Sequence, residues 1–323
     1  MTRHSWLSAT LASLVIGLAL VGPPAARSQV RYMPGAETVP PPKDSTLTIR
    51  VRPLAPGVFA AKVNLVWTGW VELPDGILVV DATAADSSAA ALADTIAARS
   101  PGKKVRYLVL TNDHVDHMGG AHRFLNDGAV LITQAGKTAE IDSLLGRPKS
   151  ATDISISKKK RRLGTAERPV DVFWMGVPAN GAGNLLVHLP KQKVMFAGDI
   201  VWNRSVPSLL DRDMNMKGWN RSLDSLYAMR ATIDSLVPGH GEFGPAVNSI
   251  RFTLGYLRDA QEKASELAAS RTLLTAIKTQ GYLGAYEGLE FYDEIHFMNI
   301  RRLYKEARGI KTPGRVRVGT FRD

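Results

Sequence analysis

From Leu47 the chain runs as short apolar stretches cut by turn residues. L-T-I-R-V-R, G-V-F-A-A-K-V-N-L-V-W and W-V-E-L-P-D-G-I-L-V-V-D are divided by P-G and D-G, and their β-branched and aromatic content predicts consecutive antiparallel strands. At Asp86 the period changes. D-S-S-A-A-A-L-A-D-T-I-A-A-R reads as an alanine-rich amphipathic helix opened by Asp86 and Ser87 and stopped before Pro101 and Gly102. The apolar run V-R-Y-L-V-L then predicts a buried strand that delivers the loop D-H-V-D-H, and G-G-A-H-R-F-L starts another helix. Three further strands are expected at V-D-V-F-W-M, N-L-L-V-H-L and K-V-M-F-A-G-D, and a helix at S-L-D-S-L-Y-A-M-R-A-T-I-D-S-L. Strands, helix, strand, helix, then the same theme again make a coarse two-half organisation without a short-period repeat.

The ends differ in character. Arg3 and His4 precede L-S-A-T-L-A-S-L-V-I-G-L-A-L-V-G and P-P-A-A-R-S-Q, the pattern of a signal peptide, with Ala26 and Ser28 as the small residues before a cut at Gln29. The apolar run is shorter than the ~20 residues a membrane-spanning helix needs, so residues 1–28 read as a cleaved export signal with no stable membrane anchor afterwards. Residues 29–46, with P-G-A-E-T-V-P-P-P-K-D-S, read as a linker. Residues 47–247 form the main domain, and residues 248–323 a C-terminal helical extension with a basic tail. The expected location is the periplasm or the exterior.

Composition changes this picture in two ways. With no cysteine, the chain has no disulfide, thiolate ligand, thiol nucleophile or lipid-attachment cysteine, so any metal ligand is His, Asp, Glu or an amide. Formal charge is +11, or +9 once residues 1–28 with Arg3 and Arg27 are removed. K-K-K-R-R at Lys158–Arg162 invites a nucleic-acid reading, but it lacks interleaved aromatics and belongs to an exported chain. A solvated loop is the reading adopted, with a small molecule rather than nucleic acid as the partner.

Candidate chemistry gathers at three strand ends. T-N-D-H-V-D-H-M-G-G places His114, Asp116 and His117 within four positions, F-A-G-D supplies Asp199, and L-V-P-G-H-G sets His240 on a glycine-flanked turn. Each alone is weak, because a lone histidine beside a strand is more often a surface or capping residue. His122, His188 and His296 are read in that ordinary way. Trp67, Trp70, Trp202 and Trp219 fall near strand ends where they either rim a cleft or simply pack.

Taken together with V-V-D-A at Val79–Ala82, these motifs resemble the metallo-β-lactamase superfamily over roughly residues 47–247. The resemblance implies an α/β fold, a four-layer αβ/βα sandwich of two mixed sheets with helices outside and a metal site at one edge, here with the C-terminal helical extension. Residue by residue, it makes Asp116, His117 and His240 ligands of one metal, Asp199 a bridging ligand, His114 a ligand of a second metal, and Asp81 a prop beneath the loop. Two positions depart from the family pattern: Asn112 stands where the first loop histidine is expected, and Asn180, in V-P-A-N-G-A-G-N, stands where a further metal histidine is expected. The second site so loses two of its three histidines.

An amide oxygen is a weaker donor than imidazole for zinc-type ions, whereas two imidazoles with two carboxylates make a competent site for zinc and an acceptable one for iron or manganese. One ion per chain is therefore expected. The function implied is an exported hydrolase that cleaves an ester, lactone, lactam or related bond with a metal-activated water. His114, released from metal duty, would act with Asp116 or Asp199 as base, and Asn112 and Asn180 would donate hydrogen bonds to an oxyanion or orient the water. The alternative is a non-catalytic binding protein that kept the fold and one structural metal.

Overall fold

The computed structural model describes residues 47–310; the expected export signal, the expected linker and the basic tail lie outside the described residues. Strands β1 (Ile49–Ala55), β2 (Val58–Val63), β3 (Val66–Leu73) and β4 (Gly76–Val80) pair antiparallel in sequence order. The stretch 57–67, expected as one strand, is two, because Asn64 takes a left-handed φ of +54° and turns the chain between β2 and β3. Helix α1 (Asp86–Arg99) crosses over to β5 (Val105–Val109), which lies parallel to β4. One-turn helices α2 (Val115–Met118) and α3 (Ala121–Leu125) follow, then β6 (Val130–Gln134), α4 (Thr138–Leu144) and β7 (Ile154–Ile156), with β5, β6 and β7 parallel.

The second half mirrors the first. β8 (Arg161–Gly164), β9 (Pro169–Trp174), β10 (Leu185–Leu189) and β11 (Val194–Asn203) are antiparallel neighbours. Helix α5 (Met216–Ala228) leads to β12 (Ser235–Gly241), parallel to β11, and β13 (Gly244–Pro245) follows. The two strand sets touch through a single pairing, His240 with Val66. Two expectations are corrected here. The helix starts at Met216 rather than Ser222, because the Asn215 side chain accepts the Gly218 N–H at 2.8 Å and caps it, and Ser235 and Leu236 go to strand β12. The basic run is not wholly a loop: Arg161 and Arg162 enter β8, where the Asp171 carboxylate on β9 accepts from Arg162 and Lys160.

Three apolar layers separate four layers of structure. Val58, Val71, Leu78, Val80 and Ile132 from the first half meet Val170, Val187, Leu189, Val194 and Phe196 from the second, so the sheets pack face to face. Outside the first sheet, Leu92 and Ile96 of α1 and Phe124 of α3 cover Trp70, Val79 and Leu108. Outside the second, Trp219 and Leu223 of α5 share one core with α6 (Ala246–Ala269) and, past the short α7 (Ile277–Gln280), with α8 (Tyr292–Ala307). Burying each large aliphatic side chain contributes about 1.5–3 kcal/mol. The arrangement is the αβ/βα sandwich, with the C-terminal helices packed on its outer face.

Candidate metal centre

The loop after β5 is fastened from below before it reaches any ligand. Asp81, buried and in the left-handed region at φ +64°, follows β4 and accepts the Thr111 backbone N–H and the Thr111 hydroxyl, each at 2.7 Å. Its Oδ2 also faces His117 Nδ1 at 2.8 Å. A non-glycine residue in this backbone region is held there at a cost of order 1–3 kcal/mol. The one-turn helix α2 then brings Asp116 and His117 round together. Asp199 comes from within β11 and fits only because two glycines make room: a Cβ on Gly198, at φ +49°, would lie 2.4 Å from Thr111 Oγ1, and one on Gly239 would lie 2.1 Å from Asp199 Oδ1. His240 follows Gly239 on β12.

Asp116, His117 and His240 bring ligand atoms within 4.8 Å of one another. Asp199 Oδ1 lies 3.1 Å from His117 Nε2 and 3.4 Å from His240 Nε2, and Asp116 Oδ2 lies 3.1 Å from His240 Nε2. The orientation of His240 is chemically fixed, because its Nδ1 faces the Leu65 carbonyl at 3.0 Å and a carbonyl accepts only from N–H. Its Nε2 therefore points a lone pair at two carboxylates unless a cation lies there. That cation is either an added proton or a metal ion, and imidazoles whose outer nitrogens are committed while their inner nitrogens converge with carboxylates suit a metal. The residues present fit a divalent ion.

Electrostatics agree with the geometry. Burial opposes charge on His117, but Asp199, Asp81 and Asp116 outweigh it and hold the imidazole well above its ordinary pKa. Burial likewise opposes the charge on Asp199, yet His117, His240 and His114 hold it well below the carboxylate range. The Asp116 carboxyl, against burial, is drawn down to about 2 by His117 and His240. A divalent ion would replace the extra protons as the positive charge that these carboxylates demand.

The other side of the cluster is built differently. His114 Nδ1 lies 2.8 Å from Asp199 Oδ2, and its Nε2 lies 3.0 Å from Asp211 Oδ2. Burial works against a charged His114, but Asp199 and Asp211 together hold its pKa well above the ordinary value; the Asp211 carboxyl, against its own burial, is brought down to about 2 by His114. Asn112 is buried, and its Oδ1 accepts the His114 backbone N–H at 2.9 Å, which leaves the amide Nδ2 without a protein partner. Asn180 shows the reverse: Nδ2 donates to the Ser208 carbonyl at 2.9 Å and Oδ1 is the atom without a partner. Of the two amides expected to donate toward an oxyanion, Asn112 presents a free donor, whereas the free atom of Asn180 is an acceptor.

Sequence reasoning missed Asp211 and Lys137. Asp211 lies 97 residues from His114 in a loop with no periodic signal. Lys137 reaches Asp113 at 3.0 Å, Glu140 at 2.8 Å and Asp213 at 2.7 Å, joining the metal loop to the loop that carries Asp211. The doubled acid of L-L-D-R-D-M-N is the one local sign of either. His188 and His296 sit apart from the cluster, bonded to the Thr232 and Gly281 carbonyls. Among the four tryptophans, Trp202 alone stacks on a cluster residue, 4.1 Å from His240 between ring centres; Trp67, Trp70 and Trp219 are buried in packing and donate to Gly241, Ser100 and Ile200.

A family model described as the metallo-beta-lactamase superfamily matches residues 61–240. The metallo-beta-lactamase IND-1 of Chryseobacterium indologenes is 28% identical over 190 residues, covering 58% of this chain and 76% of that protein. The metallo-beta-lactamase type 2 of Bacillus cereus is 24% identical over 176 residues, covering 52% of this chain and 64% of its own length. Among solved structures, a metallo-beta-lactamase from Pontibacter korlensis superposes with a TM-score of 0.57 at 20% identity, covering 65% of this chain and 99% of that one. The stereoselective inverting sec-alkylsulfatase Pisa1 from Pseudomonas sp. gives 0.62 at 16% identity, covering 80% of this chain and 50% of the sulfatase.

Proposed function

The chain belongs to the metallo-beta-lactamase superfamily, and on that premise we propose an exported, mononuclear metal-dependent hydrolase acting on an ester, lactone, lactam or related bond. The observation that carries this reading is the convergence of Asp116, His117, His240 and Asp199, with the proton of His240 committed to the Leu65 carbonyl. Two imidazoles and two carboxylates suit zinc best, with iron or manganese as acceptable occupants. Bound there, the ion supplies Lewis acidity toward a water or a substrate carbonyl.

The remaining steps belong to side chains. Asp116, with 39% of its side chain exposed, and His114, with 24%, form the open side of the cluster where a substrate approaches. In the neutral form it would take once a divalent ion supplies the positive charge at Asp199, His114 would accept the proton of the attacking water at Nδ1 while Nε2–H stays on Asp211; the water oxygen bonds to the carbonyl carbon, the bond to the leaving heteroatom breaks, and the proton passes to that heteroatom. The free Nδ2 of Asn112 is the available amide donor beside this path. Export rests on Arg3, the apolar run after it and the small residues before Gln29. The substrates in the relatives' names differ, a β-lactam in one group and an alkyl sulfate in another, so the bond class is tested rather than borrowed.

The test is elemental analysis of the protein starting at Gln29, followed by ester, thioester, lactone, β-lactam and phosphodiester assays of metal-loaded protein against an Asp116→Ala background. About one ion per chain and a turnover that Asp116→Ala abolishes are expected. Absence of metal under replete conditions, or one bound ion without turnover on any class, would move the assignment to a binding protein.

A further inference from the structure

His117 and His114 have the same surroundings in outline, each with one nitrogen on Asp199 and the other on a second carboxylate. For His117 that outer partner is Asp81. For His114 it is Asp211, and we propose that Asp211 is a positioning residue for the reaction: it accepts from His114 Nε2–H, keeps the ring oriented with Nδ1 toward Asp199, and is itself fixed by the C-terminal helix. The proposal rests on the hydrolase reading for its catalytic meaning and on geometry alone for its structural part.

The geometry has three strands of support. Asp211 Oδ2 meets His114 Nε2 at 3.0 Å, while its Oδ1 accepts the Asp213 backbone N–H, so the carboxylate plane is set at both oxygens. The backbone behind it is held by α8: the Arg302 guanidinium donates to the carbonyls of Leu209 and Asp211, and the Asn299 side chain accepts the Leu209 N–H at 2.9 Å and donates to the Pro207 carbonyl at 2.7 Å. From the other side, Lys137 ties Asp213 to Asp113, the residue immediately before His114. The loop is thereby clamped between the C-terminal helix and the metal loop. A carboxylate behind an imidazole selects its tautomer and ring orientation, and loss of such a partner typically costs 10–100-fold in affinity or activity.

The experiment compares Asp211→Ala and Asp211→Asn with the unsubstituted chain by nitrogen-15 NMR of the histidine rings, with His114 assigned through the signal lost in His114→Gln. One His114 ring signal with a hydrogen-bonded Nε2–H in the unsubstituted chain, loss of that bond with a shifted or broadened signal in Asp211→Ala, and its return in Asp211→Asn, whose amide oxygen still accepts, are expected. Turnover should fall roughly 10–100-fold in Asp211→Ala and recover in large part in Asp211→Asn, with bound metal unchanged in both. A His114 without a proton on Nε2 in the unsubstituted chain, or ring signal and turnover both indifferent to Asp211→Ala, would overturn the proposal. The ring signals need no substrate, so a failed hydrolase assignment leaves the Nε2–Asp211 result readable on its own.

Discussion

His117 and His114 are two imidazoles between two carboxylates each, yet they are anchored to different depths. The outer partner of His117, Asp81, is locked by two bonds to Thr111 at the end of a central strand, and the His117 side chain is fully buried. The outer partner of His114 stands on a loop held by a helix from the far end of the chain, and a quarter of the His114 side chain meets solvent. On the proposed function the same local chemistry serves two ends. A ligand profits from immobility, whereas a base needs access to the water it deprotonates and freedom to change charge.

The largest expected effects divide these two residues. His117→Ala should remove the metal and with it all turnover. His114→Ala should retain about one ion per chain and lose roughly 10²–10⁴ in turnover, the usual weight of a general base. Elemental analysis beside kinetics decides it. Metal lost from both variants would make His114 a ligand like its neighbour, and full metal with full turnover in His114→Ala would remove its role as base.

Next in size is repair of the incomplete side. Asn112→His with Asn180→His should raise the metal content from about one ion toward two, since imidazole replaces weak or misdirected amides. Asn180 bears on this directly, because its free Oδ1 is already the donor atom of an amide ligand, while Asn112 has spent its oxygen on the His114 N–H. Two ions in the unsubstituted chain would mean that Asn180 and His114 suffice. A smaller change is expected from Arg302→Ala, which loosens the Asp211 loop without touching a ligand: turnover falls at most about tenfold, and metal content holds. An unchanged turnover would show that Asn299 and Lys137 hold the loop without it.

What the sequence made legible follows the range of the interactions. The strands and the D-H-V-D-H loop depend on neighbours in the chain and are visible as period and punctuation. The two-sheet packing and the roles of Asp116, His117, Asp199 and His240 came from motif resemblance, since no periodicity brings residues 117 and 240 together. Asp211 was invisible, because its pairing depends on where α8 places Arg302, roughly ninety positions further on. The direction of the Asn180 amide was invisible for the same reason: the Ser208 carbonyl that fixes it belongs to another loop.

The smallest prediction sets a carboxylate outside the cluster against those inside it. Asp171 on β9 is held below the usual carboxylate range by hydrogen bonds from Arg162, against its own burial, and further by Lys160. A carboxyl depressed on folding stabilises the folded state fully above its unfolded pKa of about 3.9, and that contribution disappears as pH falls through the lower folded value. Thermal melts of the unsubstituted chain and Asp171→Asn should therefore differ at pH 7 and converge below pH ~4. The partners Lys160 and Arg162 are more than half exposed, so the difference at pH 7 should stay within about 4 °C. Asp171→Asn should leave metal content and turnover untouched. A loss of either would mean that the β8–β9 edge is coupled to the cluster, and that the ordering of burial and rigidity drawn from His117 and His114 extends to the opposite side of the second sheet.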